Sequence, residues 1–512
     1  MKQSTRLITN TGATFARMML TIGLGLVGTR ILLDHLGEID FGLIGALGAT
    51  GALLAATKAA LTTSAQRHFA YETGRQDWAT LQKVFFTAWL LFILLGVALW
   101  VVAASLTPVI LGVLIIPEDR ADAAWWVYQL SLLTIVVTVW TTPFRAMLTA
   151  HQMIVLTSIA DGVFGVLRFC SILLLLIVPW DLMITYVAMQ VVLLASVQGF
   201  LALKCLRTIP HCRFRISLFD RQEAKRILHF AGWGSLGNLS QSMRLQGGVL
   251  LVTSFFGPKV NAANTIAVQI VGYISNVKEA IRIAVQPVIV GAEARGDRKT
   301  VHQMTLASSK YIALVITLGF VPVFLEAEQL LDLWLVDIPP FTLILTRLSI
   351  VWIVINVLFL GHVVALQGTG NIGWFTRAAL LISVLILGGT WLCFRAGMPV
   401  WCLPAVTILG MLALLAVVLV GVGREIQLPP SVWFKKTLMP LLVVVLPATC
   451  AAAALHRFLP PTLWRFAAVL GAYGIIATPL IWRVALEPWE RNQFSRVGML
   501  VVSRFKPRAE KA

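Results

Sequence analysis

The chain has 512 residues, of which 58% are hydrophobic and only 12% charged, and its formal net charge is +18. Soluble domains carry about 25% charged residues, and a mean hydropathy of +0.85 is more apolar surface than a water-exposed fold needs. These values exclude a soluble enzyme and point to an all-α polytopic membrane protein.

Apolar runs recur along the whole chain, as at Leu90 to Ala104, Phe169 to Pro179 and Leu409 to Val422. A spanning helix needs about 20 mostly apolar residues. Backbone groups in hydrocarbon must pair internally, which leaves helices or closed barrels, and barrel strands would alternate polar and apolar residues. The runs predict fourteen helices, at 8–33, 41–64, 83–107, 124–148, 154–178, 183–204, 228–256, 262–290, 304–325, 342–366, 374–395, 400–422, 438–456 and 463–486. Twelve is the alternative count. The basic start, Met1 to Arg6, runs into the first helix with no small-residue cleavage site, so a retained span is expected. Six cysteines show no metal spacing, so no metal site is expected.

Charge orients these helices. With a cytoplasmic N-terminus, cytoplasmic segments hold 26 Lys/Arg and external ones 5 (Arg120, Lys259, Arg395, Arg457 and Arg465). Both termini are therefore expected in the cytoplasm. The positive charge reads as topology and attraction to anionic lipid, with no nucleic-acid partner.

The longest basic connection, 204–226, splits the chain. On either side the segments match at an offset of 220: Gly12 with Gly232, Gly28 with Gly248, Gly37 with Gly257, Lys58 with Lys278, Ala60 with Ala280 and Gln66 with Gln286. Internal repeats with a substrate site between them are a common plan of secondary transporters. The expected organisation is an N-terminal bundle at 1–203, a cytoplasmic linker at 204–226, a C-terminal bundle at 227–425, two further helices at 426–486 and a basic tail at 487–512. Two pseudo-symmetric bundles around a central cavity follow.

Ten cations fall in or at the edges of helices against two acids, Asp161 and Glu279. Each charge at the bilayer centre costs about 3 kcal/mol on insertion scales. Arg30, Lys310, Arg347 and Arg377 lie near helix ends and are expected to snorkel. Asp161 with Arg168, and Glu279 with Arg282, are spaced to neutralise each other along their own helices. Arg17, Lys58, Arg244 and Lys278 lie on the first helix pair of each half and are expected, with Arg168 and Arg282, to line a cationic chamber. Arg and Lys in such a cleft bind phosphate. No Gly-rich phosphate loop is present, so no ATP site and no cofactor are expected.

Three stretches resemble the polysaccharide-transporter, Wzx-like branch of the multidrug/oligosaccharidyl-lipid/polysaccharide (MOP) exporter superfamily. They are Thr29-Arg30-Ile31-Leu32-Leu33-Asp34-His35-Leu36-Gly37 before Phe41-Gly42; Ala65-Gln66-Arg67-His68-Phe69 before Gly74-Arg75-Gln76-Asp77; and Gln286-Pro287 before Ala294-Arg295-Gly296-Asp297. The similarity spans about 10–425; the last two helices fit by number only. Arg67 departs from the proline expected by analogy with Pro287.

The resemblance implies a flippase moving a polyprenyl-pyrophosphate-linked oligosaccharide between leaflets of the inner membrane, with polysaccharide polymerase or ligase machinery as partner. It makes Asp161 and Glu279 candidates for a coupling proton or sodium ion. The rival readings are a multidrug exporter, which would need an acid-lined chamber, a non-transporting scaffold, and an enzyme acting on a lipid phosphate. The last would need clustered acids or histidines; His362 alone lies deep in a span, where an interior packing role is expected.

Overall fold

Two stretches of 74 residues each, α1 (Lys2–Arg75) and α7 (Arg221–Ala294), are helical throughout except at one glycine. At 1.5 Å per residue such a helix would be about 110 Å long, several times the hydrocarbon thickness. Gly37 (φ 74°, ψ 171°) and Gly257 (φ 79°, ψ 176°) fold each into two legs. Side chains other than hydrogen are strained in that backbone region. The loops expected at 34–40 and 257–261 are thus single-residue breaks, 220 positions apart.

The computed structural model describes residues 2–212 and 214–491, with backbone alone at 2–17, 55, 57, 60 and 230–235. Among these residues there is no strand, and eleven helical stretches are long and apolar enough to cross a membrane. Fourteen crossings is an approximate count.

The offset of 220 recurs in the elements that follow. α2 (Trp78–Ser105) and α8 (Arg298–Leu325) each have 28 residues. Asp77 and Asp297 cap them by accepting from the backbone N–H of Thr80 and Thr300. The Thr80 N–H and hydroxyl at Asp77, and the Thr300 hydroxyl and N–H at Asp297, hold both carboxyls below the usual carboxylate range. Left-handed residues precede the caps, Gln76 (φ 59°) and Gly296 (φ 70°). Short α3 (Thr107–Val113) and α9 (Ala327–Trp334) come next, unforeseen in the sequence.

α4 (Ala121–Ala150) is continuous, whereas its counterpart is split into α10 (Thr342–Val357) and α11 (Leu360–Thr369). The split has a local cause. The Gly361 N–H donates to Ser309 Oγ at 3.1 Å, a side-chain bond in place of a helical one. A Cβ at Gly361 would lie 2.1 Å from the Thr305 carbonyl oxygen, so only glycine permits the approach. α5 (Ile154–Leu174) and α6 (Leu182–Thr208) correspond to α12 (Gly373–Arg395) and α13 (Cys402–Glu425). The one-turn α14 (Pro430–Trp433), then α15 (Met439–Phe458) and α16 (Leu463–Leu480), complete the chain.

The chain forms two compact units, one of residues 1–276, 331–349 and 372–414, the other of 277–330, 350–371 and 415–512. The first has a core of Phe69, Phe85, Phe92, Leu81, Leu132 and Tyr128, all fully buried. Tyr128 satisfies its hydroxyl by donating to the Ala103 carbonyl at 2.9 Å. The linker is pinned to this unit. His211 stacks on Trp78 at 4.5 Å, Phe214 packs on Trp89 at 4.7 Å, and the Asp220 N–H donates to Thr87 Oγ1. Cys205 and Cys212 are buried free thiols 3.6 Å apart.

In the second unit α8 is tied near its middle to the segment after α16, and at its C-terminal end to α15 and α16. Lys310 is buried, 2.8 Å from Glu490 and 2.7 Å from the Ala485 carbonyl oxygen. Contrary to the snorkelling expected from the sequence, it stays buried, because its partner returns from 180 residues away. Glu326, which the sequence places in a loop, is fully buried and accepts from Arg465 at 2.7 Å and meets His456 Nδ1 at 2.9 Å. A cavity of about 190 Å³ lies over the Lys310–Glu490 pair, bordered by His302, Gln303, Lys436 and Trp489.

Candidate functional site

The charged residues of the spans fall into clusters, and each unit holds its own. In the first unit, Arg145 on the last turns of α4 forms an ion pair with Asp161 of α5. Lys58 of α1 lies within electrostatic range of Arg145. Two sequence expectations change here. Arg145, counted among the cations of the cytoplasmic segments, lies inside α4, which runs on to Ala150. Asp161 does not neutralise Arg168 on its own helix; a helix neighbour seven residues away is less well placed than Arg145 across the α4–α5 contact.

Arg168 instead reaches α6, where its Nε and Nη2 donate to Tyr186 Oη at 3.3 and 3.2 Å. Tyr273 of α7 lies close enough to contribute electrostatically. Its hydroxyl accepts from Gln269 Nε2 at 2.6 Å, and the Gln269 amide bonds Thr29 Oγ1 of α1 at 2.8 Å. Gly25 makes the room: a Cβ there would stand 2.7 Å from Tyr273 Oη. One guanidinium, two phenols, an amide and a hydroxyl from α1, α5, α6 and α7 thus form a polar patch inside helices that are otherwise apolar. Gln190 Nε2 extends it by donating to Ser171 Oγ at 2.9 Å.

Arg244 of α7 is 9% exposed. One turn before it, Ser240 shares a 2.9 Å hydrogen bond with Ser383 of α12. Arg17 lies on the α1 backbone, and its side chain falls outside the described residues.

In the second unit, Lys278 Nζ donates to Asn356 Oδ1 of α10 at 2.9 Å. Glu279 and Arg282 pair along α7, as their spacing predicts, through Arg282 Nε to Glu279 Oε2 at 2.7 Å. Arg282 also bonds Gln286, whose Nε2 donates to Gln367 Oε1 of α11 at 3.3 Å. This leg of α7 thus meets amides of α10 and α11 through Lys278 and Gln286. His362 is buried, 1% exposed, in an interior position. Among the described residues no group of His, Cys, Asp and Glu could hold a metal ion.

At the Gly37 and Gly257 breaks, the first unit brings the two repeats into direct contact. Lys259 Nζ lies 2.9 Å from Glu38 Oε2. Asn261 Nδ2, fully buried, donates to the Gly42 carbonyl at 2.9 Å. A Cβ at Gly42 would lie 1.9 Å from the Pro258 carbonyl oxygen. Beside this seam Arg120 bridges two carboxylates, Asp40 at 2.9 Å and Asp181 at 2.8 Å. The sequence signalled none of these pairings, since partners of opposite sign were scattered over several turns.

No protein-family model matches the sequence, and no curated protein matches it. Solved structures do. An inward-facing multidrug-resistance MATE family transporter of the MOP superfamily aligns over 81% of this chain and 98% of its own, at 15% identity and a TM-score of 0.67. The lipid II flippase MurJ, in an inward closed conformation, aligns over 96% of this chain and 100% of its own, at 10% identity and a TM-score of 0.69. The fold is that of MOP-superfamily transporters. A third match, a MOP superfamily transporter from Pyrococcus furiosus described as having a binding pocket of reverse polarity, covers 82% of this chain and 95% of its own at 15% identity, with a TM-score of 0.58.

Proposed function

We propose that the chain is a flippase that carries a polyprenyl-pyrophosphate-linked oligosaccharide from the cytoplasmic to the outer leaflet of the inner membrane, for surface polysaccharide assembly. The observation that carries this reading is the excess of cations over acids within the spans of a transporter fold. Asp161 and Glu279 each serve an arginine, while Arg168 donates to the Tyr186 phenol, Lys278 donates to the Asn356 amide and Lys58 lies near Arg145. A diphosphate passenger suits spans this rich in cations, since cationic side chains bind phosphate through charge-assisted bonds. A cationic drug would meet repulsion at the same residues.

Two further features support it. The match to MurJ extends over 96% of the chain against 81% for the MATE transporter, which leaves room for the last helix pair. That pair is tied to α8 by buried ion pairs, so it belongs to the working fold. In this reading 1–203 and 227–425 are the two bundles, 204–226 and both termini are cytoplasmic, and the Gly37 and Gly257 breaks face outward, as the basic-residue asymmetry requires.

The test is a strain lacking the gene. Pyrophosphate-linked oligosaccharide should build up on its cytoplasmic leaflet, and wild type should relieve the build-up where Arg244→Ala does not. Absence of build-up, with raised sensitivity to cationic drugs, would favour an exporter.

A further inference from the structure

The seam between the repeats has a buried acid beside it that the pairing leaves half used. Asp40 is 3% exposed, and its Oδ2 accepts from Arg120 at 2.9 Å. Its Oδ1 is buried, and no donor among the described residues reaches it. Arg120 is shared with Asp181, whose Oδ1 caps α6 through the Ile184 N–H at 3.0 Å. Asp119 adds a further nearby carboxylate. Two to three carboxylates therefore face one guanidinium, and the one most removed from solvent has an oxygen without a partner.

A site with excess negative charge takes a cation. A sodium ion needs several oxygens around it, and Asp40 Oδ1 is the single oxygen of this cluster that is buried without a hydrogen-bond donor among the described residues. A proton needs one. Asp40 also sits in the seam: Glu38, the partner of Lys259, is two residues before it, and Gly42, the close-packed acceptor of Asn261, is two residues after.

We propose that Asp40 Oδ1 is a proton-binding site that governs this seam, loosening it when occupied. Protonation neutralises the carboxylate, and the Arg120 bridge keeps its full strength toward Asp181 alone. The short segment 38–42 then loses the tie that holds it to the start of α4, and the contacts of Glu38 and Gly42 with 258–261 weaken together. The charged groups that face the site are Arg120, Asp181 and Asp119, with Glu38 and Lys259 alongside. The proposal assigns the coupling proton to Asp40, where the sequence pointed to Asp161 and Glu279, both of which are engaged by arginines. It rests on the transport reading only in taking the seam as part of the cycle.

The experiment uses the full chain in nanodiscs, with spin labels at Ile39 and Val260, and reads the distance distribution by electron resonance at mildly acidic and mildly alkaline pH. If the separated state binds the proton ten times more tightly, the ratio of separated to closed molecules rises by up to about tenfold across the transition, the free-energy equivalent of one pH unit. Wild type should shift to longer distance on acidification. Asp40→Asn, which carries the neutral form permanently, should be long at both pH values. Asp119→Asn, as a folding and charge control, should keep the shift. A shift that persists in Asp40→Asn, or a wild-type distance that does not respond to pH, overturns the proposal. Lipid-linked oligosaccharide build-up in the strain lacking the gene is read separately, so failure of the flippase reading and failure of the proton site are distinct results.

Discussion

Lys259 and Glu38 meet at 2.9 Å, and each stands within two residues of the glycine that folds its own 74-residue helix. The ion pair itself is a weak fastener. Lys259 is well exposed, and exposed pairs contribute about 0–1 kcal/mol. The stronger ties at this seam are the buried Asn261–Gly42 hydrogen bond and the close approach of Gly42 to Pro258.

That ranking gives the first prediction. Glu38→Gln should change thermal stability by under about 1 kcal/mol. Asn261→Ala leaves the buried Gly42 carbonyl without its donor and should cost about 1–3 kcal/mol. Gly42→Ala must push the 258 backbone away and should be at least as damaging as a typical overpacked core, about 1–3 kcal/mol. Thermal unfolding of the three variants in detergent checks the order.

Gly37 and Gly257 should behave alike. Alanine at either position forces a side chain into a region that costs about 1–3 kcal/mol. The expected result is matched destabilisation of the two variants, read as matched drops in unfolding temperature. A large loss at one and none at the other would contradict their equivalence as hinges.

The Lys310–Glu490 pair should show the signature of a buried ion pair. Lys310→Met or Glu490→Gln alone strands a buried polar partner, and breaking such pairs costs about 3–5 kcal/mol. The double variant Lys310→Met with Glu490→Gln should cost less than the two single changes summed, although the Ala485 carbonyl still loses its Lys310 donor. A thermal double-mutant cycle measures the coupling.

The caps of α2 and α8 carry a pH dependence of known sign. Asp77 and Asp297 have carboxyls held below their unfolded values by the Thr80 and Thr300 bonds. Their contribution is therefore complete above the unfolded carboxylate pKa, about 3.9, and fades as pH falls through the lower folded values. Hydrogen exchange in the first turns of α2 and α8 should accelerate only in that acid window. Asp77→Asn, which keeps a capping oxygen, should fray the turn less than Asp77→Ala.

Much of this architecture was legible in the sequence, because lipid demands long apolar runs and the runs are plain. The repeat was legible through Gly37, Gly257, Lys58 and Lys278, where backbone geometry or charge fixes the residue. The partners of the charges were not legible. Lys310 finds Glu490 after 180 residues, and Asp161 finds Arg145 on a different helix. The break between α10 and α11 needs Gly361 together with Ser309 of another helix, a partner that the local sequence does not announce. Spacing along one helix predicted Glu279–Arg282 correctly and Asp161–Arg168 wrongly, since it cannot weigh a better partner across a helix contact.

The most direct test of the central claim is translocation itself. Purified protein would be placed in proteoliposomes with a polyprenyl-pyrophosphate oligosaccharide, and the fraction reaching the opposite leaflet measured by its accessibility to an added glycosidase. The account predicts transfer by wild type, strong loss in Arg168→Ala and Arg244→Ala, and near wild-type transfer in Arg377→Ala, whose side chain is exposed and donates to the Gly373 carbonyl one turn back on its own helix. Transfer that is absent in wild type, or equally fast in the Arg168 and Arg244 variants, would contradict it.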